Sequence, residues 1–154
     1  CLLWAANAMT QGLPIKVDLK PKDIEGLIES ERKSVQKGVN RAIGRTASLG
    51  KQIILRRTKT GQGFEGAFDG YSSGYVKALE RKGFPTSPVD LFATGQMLNS
   101  MQVETLNRRT ARIYFSNPEA SKKAAFNNRS RPFFGFNDKE EDRLGRFFRK
   151  EFNR

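Results

Sequence analysis

The sequence contains no histidine, one cysteine and one tryptophan. Without histidine the chain lacks the commonest general base, the Ser–His and Cys–His nucleophile pairs, and the usual nitrogen ligands of zinc and iron. A lone cysteine excludes an intrachain disulfide and any multi-thiolate metal site. No apolar run approaches the roughly 20 residues that a helix needs to cross a bilayer. Asp69, Asp90, Glu104 and Glu119 are scattered acids without metal-ligand spacing. The glycines between Thr60 and Tyr71 superficially resemble a phosphate loop, but no Gly-Lys-Ser/Thr follows them. The expectation is a protein that is not an enzyme, holds no metal or cofactor, and works through its surface.

What the chain has in excess is positive charge. Lys and Arg number 28 against 16 Asp and Glu, a net charge of +12. Such a surplus implies a negatively charged partner, either nucleic acid or acidic protein. No acid occurs between Arg32 and Phe64, where Arg41, Arg45, Lys51 and Arg56 are spaced to point outward from a helix. Apolar bulk is concentrated in 12 Phe. Phe64 and Phe68 sit in the glycine-rich loop 58–71, which is expected to be mobile in a free subunit and ordered by a neighbour. Phe133 and Phe134 are candidate anchors as well. For the cluster they form with Phe136, core packing is favoured over a subunit contact, because large exposed apolar patches are rare. The candidate partner interface therefore comprises Arg41, Arg45, Lys51, Arg56, Phe64, Phe68, Phe133 and Phe134.

At 154 residues the length suits one domain. Cys1 to Ala8 form an apolar leader. A lipid-anchored cysteine would normally be followed by a polar tether, so a retained leader, with Met9 as an alternative start, is the preferred reading. Residues 1–19 are expected to form an extended N-terminal arm, with Ile15, Val17 and Leu19 alternating against polar neighbours. Residues 20–154 are expected to form a single domain. Pro21 opens a long helix whose apolar stripe runs from Ile24 to Ile54 and ends near Arg57. Gly38, Gly44 and Gly50 either weaken that helix or mark close contact with another element. Ser72 or Ser73 caps a short helix stopped by Gly83, and Thr94 caps another that carries Met97 and Leu98. Residues 101–106 and 111–115 alternate as a β-hairpin. Pro118 begins an Ala-rich helix ending near Asn127-Asn128. Asn137 and Glu140 have the form of a capping box for a terminal helix with Leu144, Phe147, Phe148 and Phe152 on one face. The predicted class is α+β, with a long N-terminal helix and a C-terminal helix packed on a small antiparallel β-sheet, and short helices between.

Four ordered blocks resemble the small virion-morphogenesis, neck and tail-completion (head-tail joining) proteins of tailed bacteriophages. They are Gly70-Tyr71-Ser72-Ser73-Gly74-Tyr75-Val76-Lys77, Val89-Asp90-Leu91 leading into Thr94-Gly95-Gln96-Met97-Leu98-Asn99-Ser100-Met101, Ile113-Tyr114-Phe115-Ser116-Asn117, and Arg131-Pro132-Phe133-Phe134-Gly135-Phe136. The apolar leader, and Asn127-Asn128 in place of a Gly-rich helix end, depart from that pattern. The resemblance implies a structural subunit that joins head and tail or terminates the tail. Its partners would be copies of itself in a sixfold or twelvefold ring, and adjacent connector, tail-terminator or tail-tube proteins. Proximity to genomic DNA is implied, and no membrane. The location would be the virion neck or tail, after assembly in the host cytoplasm. The alternative is a basic nucleic-acid-binding module, although no helix-turn-helix, zinc-finger or RNA-recognition signature is present.

Overall fold

The computed structural model describes residues 15–18 and 32–154. The apolar leader and the part of the long helix expected between Pro21 and Glu31 lie outside the described residues. Within them the elements run β1 (Ile15–Asp18), α1 (Arg32–Lys59), α2 (Ser73–Arg81), α3 (Gln96–Asn99), β2 (Met101–Thr105), β3 (Thr110–Phe115), α4 (Pro118–Ser130) and α5 (Asp138–Phe152). The class is α+β, with a long helix and a C-terminal helix against a small antiparallel sheet.

The sheet has the order β1-β3-β2. Ile15 lies opposite Ile113 and Met101 opposite Phe115, and both pairings are antiparallel. Part of the N-terminal arm is thus a strand of the sheet. Period-2 alternation sends Ala111, Ile113 and Phe115 of the central strand into the core, where all are buried. On the opposite face Arg112 pairs with Glu104 across the strands at 2.6 Å and lies 4.7 Å from the centre of the Tyr114 ring. That face is polar and half-exposed, and it needs no covering layer.

Helices α1 and α5 run antiparallel, since Gly38 lies beside Phe152 while Arg57, one helix length away, reaches Glu140. Val39, Ala42, Ile43, Ala47 and Ile54 form the buried stripe of α1. The helix is unbroken through its glycines, and Gly50 shows why one is tolerated. A Cβ there would stand 2.8 Å from the Phe136 ring and 3.3 Å from Ile113. The lost helix propensity, about 1 kcal/mol, allows this close packing against the sheet and the 131–136 segment. Ile54, Leu98, Met101, Ile113 and Phe133 are almost fully buried. Each large side chain so buried contributes about 1.5–3 kcal/mol of transfer free energy.

Local signals set most helix ends. Asn137 and Glu140 close the capping box of α5 in both directions. The Asn117 side chain accepts from the N–H groups of Glu119 and Ala120 beside Pro118. Gly83, at φ 69°, ends α2 as the Gly83 and Phe84 N–H groups turn back to the carbonyls of Glu80 and Leu79. Two expectations need correction. Ser72 stands at the N-cap of α2, but its side chain makes no capping bond. Thr94 does not cap α3; Gly95, at φ 70°, takes that position, and its N–H closes on the Phe92 carbonyl at 2.5 Å. The left-handed backbone at the start of α3 favours glycine there, and the Asp90 carboxylate holds the preceding turn by accepting from the Phe92 N–H. Helix α4 ends at Ser130, near the Asn127-Asn128 pair as expected, and the Asn128 Oδ1 accepts from the Phe133 N–H of the next segment.

Candidate interaction surface

Arg41, Arg45 and Arg56 are exposed on the outer side of α1, and Lys51 is half-buried. Arg45 is exposed but not unattached. Its Nη1 donates to Glu151 Oε2 at 2.6 Å, and Arg154 donates to the other oxygen of the same carboxylate at 2.7 Å. Glu151 is itself almost completely buried. The Arg45 hydrogen bond, with Arg154 and Arg41 nearby, holds its carboxyl below the usual range. Arg45 therefore joins α1 to α5 as well as presenting charge.

The aromatic candidates divide differently. Phe133 is fully buried and Phe134 nearly so, and each packs on Phe115 and on the other. They are core residues and offer no ring surface to a partner. This corrects their place among the interface candidates, for the reason already weighed: large apolar groups are stabilised by burial. Phe64 is half-buried and covers Gly135, where a Cβ would come within 2.6 Å of its ring. Phe68 is half-buried against the edge of the same core.

The loop that carries Phe64 and Phe68 is laced to the chain. The Phe64 N–H donates to the Pro132 carbonyl at 3.0 Å, Gly63 to Gly66 at 2.6 Å, and Phe68 to Gly61 at 2.9 Å. A side chain at Gly63 would collide with the Pro132 carbonyl. The expected mobility of this loop does not fit that geometry. Its glycines permit close backbone approach instead.

Arg57, which the sequence presents as one more cation of the acid-free stretch, is the centre of this corner. Its side chain is nearly buried. Nη2 donates to the carbonyls of Phe133 (2.7 Å) and Gly135 (2.9 Å), while Nη1 pairs with Glu140 of the capping box. Phe64 lies beside it at 5.9 Å from ring centre to guanidinium carbon. Burial lowers its pKa, and the bond to Glu140 opposes that shift. Asn128 Oδ1 accepts from the N–H groups of both Phe133 and Phe134. Arg131 donates to the carbonyls of Asp69 and Gly70 and lies over the Tyr71 ring at 5.3 Å. The Tyr71 hydroxyl accepts from the N–H of Leu91, which has φ 54°. A left-handed leucine is strained, and this contact helps to hold it. The only advance signal for these roles was the residue type: an arginine or asparagine beside a bend, able to satisfy several backbone groups at once.

Three of the four scattered acids have structural partners. Asp90 holds a turn, Glu104 pairs with Arg112, and Glu119 pairs with Lys122 at 3.3 Å. Asp69 is exposed, and its backbone carbonyl receives Arg131. Among the described residues no three His, Cys, Asp or Glu side chains are grouped to hold a metal. What the arrangement can do is present a charged surface from a braced scaffold. No protein family, curated protein or solved structure matches this chain.

Proposed function

We propose that the chain is a non-catalytic structural subunit of a tailed-phage neck or tail-completion ring, joining head to tail or terminating the tail. The observation that carries this reading is that the resembling blocks pack on one another. Arg131 seats on the Gly70-Tyr71 block, Tyr71 bonds Leu91, and Phe115 packs edge-on and tilted against Phe133 and Phe134. Blocks that hold one another in place support a common architecture better than four separate likenesses do. Contacts between copies would be heterologous, and such contacts close into a ring when the rotation per subunit allows it. The exposed cations of α1 and the half-exposed rings of Phe64 and Phe68 remain the surface offered to acidic neighbours.

The test is the state of the purified protein and its place in particles. Native mass spectrometry and negative-stain imaging should show rings of six or twelve copies, or the protein should be found at the head-tail junction of virions. A protein that stays monomeric and is absent from particles would overturn the reading. Nucleic-acid binding is kept as the second reading, because six exposed cations, Lys37, Arg41, Arg45, Arg108, Lys150 and Arg154, come from elements packed together at one end of the α1–α5 pair.

A further inference from the structure

We propose that the end of the α1–α5 pair beside the β2–β3 turn is a binding site for the phosphate backbone of nucleic acid. Lys37, Arg41 and Arg45 follow one another at four-residue steps along the exposed side of α1, each step a rise of about 6 Å. The antiparallel course of α5 brings Lys150 and Arg154 to the same end. From the turn, Arg108 reaches α1; with the Gln36 amide assigned the orientation that satisfies its neighbours, its oxygen accepts from Arg108 Nε and Nη2 at 3.1 and 3.2 Å. All six cations are exposed, and the three elements that carry them are packed together.

Among the described residues, the acid in contact with these cations is Glu151, and one carboxylate serves both Arg45 and Arg154. It does not neutralise the site. It fixes two guanidinium groups, each of which retains further N–H donors for a ligand. Groups held in advance lose less freedom on binding. Like charges at i, i+4 on a helix repel, and a polyanion removes that repulsion.

The chemistry favours phosphate over an acidic protein. Protein interfaces centre on apolar and aromatic anchors, and their cores are depleted of charge. Here the six positions are all cationic, and Leu106 is the half-exposed apolar neighbour in the turn. The arginine fork matches phosphate oxygens, and among the described residues nothing at this end has the form of a base reader. Contact is therefore to the backbone and independent of sequence. The inference holds for a ring subunit and for a separate binding module alike.

The experiment measures binding of the full chain to a labelled DNA duplex of arbitrary sequence across salt concentrations. With four or five phosphates neutralised, affinity should fall roughly 100- to 1000-fold between about 50 and 200 mM salt. Lys37→Gln/Arg41→Gln/Lys150→Gln spares both arginines bound to Glu151. It should bind at least about tenfold more weakly, with the salt slope reduced by about three. The control Lys77→Gln/Arg81→Gln/Lys122→Gln removes equal charge elsewhere and should change binding much less. Equal losses in the two variants, or no salt-sensitive binding by the native chain, would overturn the proposal. So would polyglutamate competing as well as DNA, which would identify an acidic protein surface as the partner. If the first triple variant fails to fold by circular dichroism, Arg41→Gln alone should still lower the slope by about one. Native mass spectrometry of the same variants reads ring formation separately: rings without DNA binding would sink this inference only, and DNA binding by monomers would sink the ring alone.

Discussion

Arg57 carries more of this fold than its place in a basic run implies. Three groups from distant sequence, two carbonyls and a carboxylate, depend on one nearly buried guanidinium. Removing it leaves those acceptors without a partner, so Arg57→Ala should lose about 3–5 kcal/mol of stability in urea unfolding. Arg57→Lys should recover only part of that, because a point charge cannot reproduce the fork. Glu151 gives the residue scale a pH dependence. Its folded-state pKa lies below the ordinary 4.5, so its stabilisation is present above that value and is lost as pH falls through the lowered one. Glu141 has the opposite sign: burial and its neighbours Asp138 and Asp142 raise its pKa, so acidification relieves a cost there. Melting temperature below about pH 4.5 should accordingly fall less steeply in Glu151→Gln than in the native protein. Equal slopes would mean that Arg45 and Arg154 do not hold the carboxylate in solution.

At the scale of elements, α5 was the most legible part of the sequence. Its capping residues, acidic first turn and basic last turn are all local, so they act wherever the helix docks. Its docking rests on Leu144 and Phe148, the latter stacked with Phe152 at 6.2 Å. Phe148→Ala should cost about 3–5 kcal/mol, read by thermal or urea unfolding. Retained stability with lost assembly would instead make the helix an interface element. The loop 58–71 was the least legible, because a glycine looks the same whether it permits motion or close approach. Buried Gly61 and Gly63 and the internal bonds of Gly63, Phe64 and Phe68 assign it to close approach. Amide exchange at those three positions should be slow in the isolated monomer. Exchange as fast as in an open chain would restore the mobile loop.

For the whole molecule, the antiparallel pairing of α1 and α5 decides which cations can be changed freely. The sequence treats Arg45 and Arg56 alike, as exposed positions on one helix. In the fold, Arg45→Glu would set a carboxylate against the buried Glu151, and its melting temperature should drop clearly. Among the described residues Arg56 has no such opposite number, and Arg56→Glu should stay within about 1 kcal/mol of the native stability. Similar melting of the two variants would show that the seam does not depend on Arg45. Two clusters make up the core. One lies between the sheet, α4 and the 131–136 segment, and the other lies under the α1–α5 seam. Val103 of β2 packs on both, so the sheet joins them.

The α+β class, the hairpin, the start of α4, the end of α2 and the capping box of α5 are all legible along the chain. Each depends on the 3.6- or 2-residue period, or on a side chain bonding backbone within a few residues. Packing between distant segments decided that Ile15–Asp18 pairs with β3 and that Arg57 and Arg131 are braces, and it bore out the core packing already favoured from the sequence for Phe133 and Phe134. It also set Gly95, not Thr94, before α3. Those outcomes turn on groups tens of residues apart: Arg57 meets carbonyls 76 and 78 positions away, and Arg45 meets Glu151 across 106. A period along the chain records which face of an element is apolar. It does not record which distant carbonyl or carboxylate that face will meet, and the uses of this protein's charge follow from those meetings.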